Sequence, residues 1–217
     1  MSFNEDMKEG GRTREQGDFA AALVHYENAI EHAPSTMDGY EANIQFAVTL
    51  RLAGALDRAL SVFAEALESM GDEVSPTRAR CHRDYGMALL ERHLQVGDLT
   101  FLAARDELIA SIDAYVELGD AIEEAISWGF LGRYYLVTGN RQHAIKLLRG
   151  THRQISGQND SGERDNIVWL ARASLLWRWL YMARALKITA GTRRRQEYMV
   201  LLVGGEWLYD WLRARRE

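Results

Sequence analysis

Proline is scarce in this chain: its 217 residues hold two, Pro34 and Pro76. Proline breaks helices and punctuates turns, so its near absence points to long uninterrupted helices and away from many-turned β structure. Cysteine is scarcer still. Cys81 stands alone, which excludes an intramolecular disulfide and fits a reducing compartment, so the expected location is cytoplasmic. The first 20 residues carry no apolar core of the secretory kind. Lysine appears only as Lys8, Lys146 and Lys187. Nearly all cationic charge is therefore arginine, the better residue for planar, two-pronged pairing with carboxylate or phosphate. What is present in quantity is globular in character, with 47% hydrophobic and 26% charged residues.

The net charge of −5 argues against general nucleic-acid binding. Its distribution is uneven. Residues 1–160 hold 15 Lys and Arg against 25 Asp and Glu, whereas residues 161–217 hold 11 against 6. The stretch 167–186 has the length of a membrane span but carries Arg172, Arg178 and Arg184. On a helix these lie about 120° apart, leaving no face free of charge for lipid, so no membrane span is expected.

Glycine-marked turns recur along the chain, as Gly17-Asp18-Phe19, Gly54-Ala55-Leu56, Gly97-Asp98-Leu99 and Gly139-Asn140-Arg141, at spacings of 37, 43 and 42 residues. A small–large–small triplet follows each turn. The triplets are Ala22, Tyr26, Ala29; Ala59, Phe63, Ala66; Ala104, Leu108, Ser111; and Ala144, Leu148, Thr151. Positions i, i+4 and i+7 share one helix face. Small residues there let a second helix approach, and the large one fills the space between. The pattern predicts helices over 4–15, 18–33, 36–53, 55–70, 76–96, 99–118, 120–138, 141–154, 163–189 and 192–215. Ser75 before Pro76 reads as an N-cap, Asp98 as a cap for the helix that follows it, and Asp160 and Thr192 as caps further on. The loop at 155–162 is the one flexible-looking connector, and no domain boundary is placed there.

Before the fourth turn, Trp128, Leu131, Gly132 and Tyr135 form W-x-x-L-G-x-x-Y, followed by Gly139 and Ala144. With these residues the chain resembles the tetratricopeptide repeat family. A looser copy holds Phe46, Ala47, Leu50, Gly54, Ala59, Phe63 and Ala66. The first copy keeps Gly10, Gly17, Phe19, Ala22, Tyr26, Ala29 and the closing Pro34, but Asp6, Glu9 and Thr13 occupy positions where apolar residues are expected. The third keeps Tyr85 and Gly86 with extra residues before its turn. The resemblance covers residues 3–154; the helices of 163–217 continue the rhythm without the signature. It implies an all-α fold, a right-handed α-solenoid of about five antiparallel helix pairs, over a single domain at 1–217.

Catalytic constellations are missing. Cys81 and His82 are adjacent, so on a helix they point about 100° apart, and the cysteine reads as structural. His82-Arg83-Asp84 echoes the catalytic-loop triplet of protein kinases, but Leu89 stands where that loop has asparagine and no Gly-rich loop exists. The six histidines form no zinc-binding pattern. Neither an enzyme nor a cofactor is expected.

The resemblance also implies a concave face lined by the first helix of each pair, where peptides or protein segments bind. By register this face holds Arg51, Arg80, Arg83, Arg133, Arg172 and Arg178 against Glu41, Asp84 and Glu91. Ile44, Val48 and Gly129 occupy the positions where some family members hold a peptide C-terminus, so that clamp is not expected. Either the arginines receive a carboxylate-rich ligand, or they pair with acids on adjacent helices. The function implied is an adaptor or scaffold for a protein or peptide partner; the alternative is a regulatory sensor of a peptide or small acidic ligand. The last helix adds a second apolar stripe, Val203, Trp207 and Trp211, at i, i+4 and i+8. It predicts self-association as a homodimer or a docked partner, unless the chain folds back and Trp177 or Trp179 covers it.

Overall fold

The computed structural model describes residues 2–156 and Trp169. Among them lie eight α-helices and no strand: α1 (Phe3–Glu15), α2 (Phe19–Glu31), α3 (Thr36–Leu52), α4 (Leu56–Met70), α5 (Pro76–Val96), α6 (Thr100–Leu118), α7 (Ala121–Val137) and α8 (Arg141–Ile155). All eight fall within two residues of the helices that the sequence predicts. The helices expected at 163–189 and 192–215 lie outside the described residues, apart from Trp169, which is helical. Asp160 and Thr192 also lie outside. No helix among the described residues is long and apolar enough to cross a membrane.

The chain divides into two compact units, one ending at Asp120 and one beginning at Ala121. In the first, each helix packs on the next from α1 to α6, and α3 also touches α5 directly. Three helix pairs therefore follow one another in chain order, and the first helices of the second and third pairs touch. In the second unit α7 packs on α8.

Every residue of the four small–large–small triplets is buried, none more than 6% exposed. The reason lies on the facing helix. A Cβ at Gly86 would stand 2.9 Å from Leu108 Cγ and 3.0 Å from the Ala104 carbonyl oxygen. One at Gly132 would stand 2.8 Å from Leu148 Cγ, and one at Gly10 would meet the Tyr26 ring at 2.9 Å. In the second pair Ala47 takes this place and belongs to the same buried cluster as Phe63. Glycine and large residue are 16 positions apart in the pairs Gly10/Tyr26 and Gly132/Leu148, but 22 apart in Gly86/Leu108. The additional residues lie on both sides of the turn. They lengthen α5 to 21 residues and delay the start of α6 to Thr100. The four turn glycines all have φ between +72° and +89°, a region that costs a residue with a Cβ dearly.

Helix ends follow side-chain chemistry. Ser75 accepts from the Arg78 backbone N–H at 3.2 Å, with Pro76 opening α5. Ser2 and Glu5 form a reciprocal capping box on α1. Asp98 departs by one residue from its expected role: α6 begins at Thr100, and the Asp98 carboxylate accepts from the Thr100 N–H at 3.1 Å and from its hydroxyl at 2.5 Å. The polar residues of α1 find local partners. Asp6 is 1% exposed and meets His25 Nδ1 at 3.3 Å, while the Thr13 hydroxyl donates to the Glu9 carbonyl at 2.8 Å. Bonding of this kind lets α1 present polar side chains inward without leaving them wholly unsatisfied.

Candidate functional site: the face of the first helices

Successive first helices of the first unit are joined by side chains. Arg14 on α1 donates to Gln45 Oε1 on α3 at 2.7 Å. Gln45 Nε2 donates in turn to Glu41 Oε1 at 3.0 Å, and the other oxygen of Glu41 accepts from Arg80 on α5. About three turns along the same helices, Arg51 on α3 donates to Glu91 on α5 at 2.6 Å. The result is a polar ladder α1–α3–α5 in which the arginines cross from one repeat to the next and the Gln45–Glu41 bond joins two of the rungs along α3. It follows from register. Arg14 stands four residues after Gly10, and Arg51 four after Ala47, so helical periodicity aims both along the same edge of their helices.

Two of the sequence-predicted arginines are thus engaged by acids on a neighbouring repeat. Arg51 and Glu91 are 14% and 33% exposed, and Arg80 and Glu41 are each 29% exposed. Both pairs are part-buried, so each lies between the small worth of a fully exposed pair and that of a buried bridge. Each glutamate holds its arginine through one terminal nitrogen, Nη1 of Arg51 and Nη2 of Arg80, while the Nε of each is buried without a hydrogen-bond partner. An arginine fork is worth most when it binds a carboxylate through two parallel N–H bonds.

Arg83 and Arg133 have a different setting. Arg83 on α5 is 8% exposed, and its guanidinium lies 5.8 Å from the centre of the Tyr115 ring on α6. In the second unit Arg133 is buried with its guanidinium 4.3 Å from the centre of the Phe130 ring and 5.4 Å from that of Trp169. Contact with an aromatic face holds a guanidinium in place and lets it shed water. Arg172 and Arg178, and the stripe Val203, Trp207 and Trp211, lie outside the described residues. Of the remaining face positions, Ile44 and Gly129 are buried and Val48 is half-buried.

Cys81 and His82 diverge as expected for neighbours on a helix. The thiol is fully buried, its Sγ 3.8 Å from the Phe63 carbonyl, while His82 Nδ1 meets Glu107 Oε2 at 2.6 Å. Burial, with the nearby carboxylates of Asp84 and Glu107, pushes the thiol well above its ordinary range. It is a packing residue rather than a nucleophile.

Arg14 was not among the candidate residues of the sequence, although its repeat spacing marks it. Arg14 and Arg51 are 37 residues apart, the same interval that separates Gly17 from Gly54. The buried Asp6–His25 contact left no such signal, since neither residue recurs at that interval.

No family model matches the chain, and no curated protein does. Its fold is shared by solved structures of low identity. A Rap protein in complex with competence and sporulation factor superposes with a TM-score of 0.78 at 14% identity, over 99% of this chain and 64% of the other. A kinesin light chain from Podosopora anserina with nearly identical TPR-like repeats gives 0.57 at 14% identity, over 99% and 96%. PilF of Pseudomonas aeruginosa gives 0.57 at 18% identity, over 98% and 97%. This chain spans less than two thirds of the length of the Rap protein. At these identities the likeness speaks for the fold alone, and that fold is a tetratricopeptide-like helical repeat.

Proposed function

We propose that this chain is a non-catalytic protein–protein interaction module, an adaptor or scaffold of the cytoplasm. In this reading the face of α1, α3 and α5 receives an acidic segment of a partner protein. The observation that carries it is the row of arginines on successive first helices, with Arg51 and Arg80 each held by a glutamate through a single terminal nitrogen. Arg83 extends the row, and Arg133 supplies a comparable ring-supported cation in the second unit. Arg172 and Arg178 belong to the same reading by register. The stripe of Val203, Trp207 and Trp211 is a separate self-association surface. Neither nucleic acid nor a cofactor is needed.

A second reading is a regulatory sensor that holds a peptide or small acidic ligand. What favours it is the Rap protein of similar fold, whose structure holds competence and sporulation factor.

The two readings share one test. Arg51→Gln with Arg80→Gln removes the fork cations and leaves the buried Arg83 and Arg133 undisturbed. Affinity capture followed by mass spectrometry should recover a partner with the wild type and lose it with the double variant, at unchanged helicity. Capture should also weaken as salt rises, because exposed charge pairs are screened over about 8–10 Å. Capture indifferent to both changes refutes an acidic partner. Thermal stabilisation by a small acidic ligand, without a captured protein, selects the sensor.

A further inference from the structure

We propose that Glu41 and Glu91 act as internal competitors for the ligand, so that an acidic segment binds by exchange: its carboxylates take Arg80 and Arg51 and release the two glutamates. This rests on the acidic-partner reading and adds to it a regulatory contact within the face. Three observations lead to it. Each glutamate comes from a neighbouring repeat, not from the helix that carries its arginine. Each pair is partly exposed, so an incoming anion reaches it. Each glutamate holds its arginine by one terminal nitrogen, Nη1 of Arg51 and Nη2 of Arg80. A carboxylate that arrives on a ligand can use both terminal nitrogens through two parallel N–H bonds.

Exchange has a structural consequence. The Glu41–Arg80 and Glu91–Arg51 pairs both tie α3 to α5, the first helices of the second and third repeats. A ligand that takes the arginines removes both ties together. Ligand binding and the junction between these repeats are then linked, and by reciprocity anything that loosens the junction favours the ligand.

The competition is measurable with a probe of known chemistry. The full chain is titrated into fluorescein-labelled hexaglutamate, with hexaglutamine as the neutral control, and anisotropy is read. Glu41→Gln with Glu91→Gln removes the competing charge and keeps side-chain size. If the internal pairs hold back binding, each Glu→Gln change should tighten hexaglutamate by about two- to fivefold, since the apparent affinity falls with the fraction of sites held in the competing state. The gain at Glu91 should vanish in an Arg51→Gln background, and the gain at Glu41 in an Arg80→Gln background. Glu65, exposed on α4, supplies the control for net charge: Glu65→Gln should not reproduce the gain. Circular dichroism confirms that each variant is folded. The single variants carry the test if the double one is not.

Wild type that binds hexaglutamate, with Glu→Gln variants that bind no tighter or gain no more than Glu65→Gln, overturns the exchange and leaves the acidic-partner reading standing. Wild type and variants that all ignore hexaglutamate overturn both.

Discussion

Gly86 offers a stringent test of how the helix pairs are built. Replacing it with alanine has two opposed effects. Alanine favours a helix interior over glycine by about 1 kcal/mol. Against this, the new Cβ would lie 2.9 Å from Leu108 Cγ, 3.2 Å from Leu108 Cδ2 and 3.0 Å from the Ala104 carbonyl oxygen. Carbon atoms in contact rest at about 3.5–4.0 Å, so α6 must retreat by at least half an ångström or Leu108 must leave its rotamer. Leu108 is wholly buried and the carbonyl belongs to the α6 backbone, so neither yields freely. Overpacking of this kind costs about 1–3 kcal/mol, and the rigid backbone neighbour places it in the upper part of that range. The net expectation is a loss of about 1–2 kcal/mol. For a chain of this size it lowers Tm by about 2–8 °C. Gly11→Ala is the matched control. It too is a helical glycine, but its Cβ would meet only the Tyr26 hydroxyl, at 3.8 Å. There the propensity gain stands alone, and Tm should rise by about 2–4 °C. Thermal unfolding followed by circular dichroism reads both. A Gly86→Ala protein that melts at or above the wild type, beside a stabilised Gly11→Ala, would refute the close approach of α5 and α6.

Two further predictions concern titratable groups. The Cys81 thiol, raised mainly by burial, stays protonated at pH 8, so a thiol reagent should label the folded chain far more slowly than the urea-unfolded one; equal rates would show that Cys81 is not buried. The Asp98 carboxyl is held below its ordinary value, first by the Thr100 hydroxyl, with the Thr100 N–H and Arg92 adding to it. Because the folded value is the lower one, this contribution to stability is complete above the unfolded aspartate value of about 3.9 and is lost as pH falls through the folded value. Thr100→Val should move the Asp98 midpoint upward in an NMR titration, and an unmoved midpoint would refute the hydroxyl as the main cause.

The helices and their pairing were legible because both depend on local spacing. A small–large–small triplet spans eight residues, about two turns of helix, and its facing glycine or alanine lies only 16–22 positions from the large residue. Such short-range patterns survive even where the family signature fades. The first copy shows this. Asp6, Glu9 and Thr13 break the apolar pattern of α1, yet α1 forms and packs on α2. Gly10 against Tyr26 supplies the contact, and the polar side chains bond to His25, Arg12 and backbone carbonyls. The third copy was less legible. α5 ends at Val96, where the sequence predicts, but its additional residues obscure where α6 begins: Asp98 bonds Thr100 through its side chain, which no periodicity encodes, and the helix starts one residue later than expected.

The candidate face was legible as a set of positions but not as a set of contacts, for a physical reason. Register tells which edge of a helix an arginine occupies, and so it gathered Arg51 and Arg80 with Glu41 and Glu91 onto one face. Pairing depends on a further quantity, the offset between helices whose partners are 39 and 40 residues apart in the chain. That offset rests on how α5 seats on α4, where Tyr85 lies beside the Phe63 ring and Cys81 Sγ meets the Phe63 carbonyl, not on anything in the charged residues themselves. Core and face are therefore coupled. A change that shifts α5 against α3 alters which glutamate meets which arginine, although it touches no charge. Gly86→Ala, which pushes on α6 through Leu108, acts on the same α5 that carries Arg80, Arg83 and Glu91. If the face binds an acidic segment as proposed, that core variant should alter hexaglutamate affinity while Gly11→Ala, which adds only an ordinary contact on α1, should not. Equal affinities in the two folded variants would mean that the ladder adjusts independently of the packing beneath it.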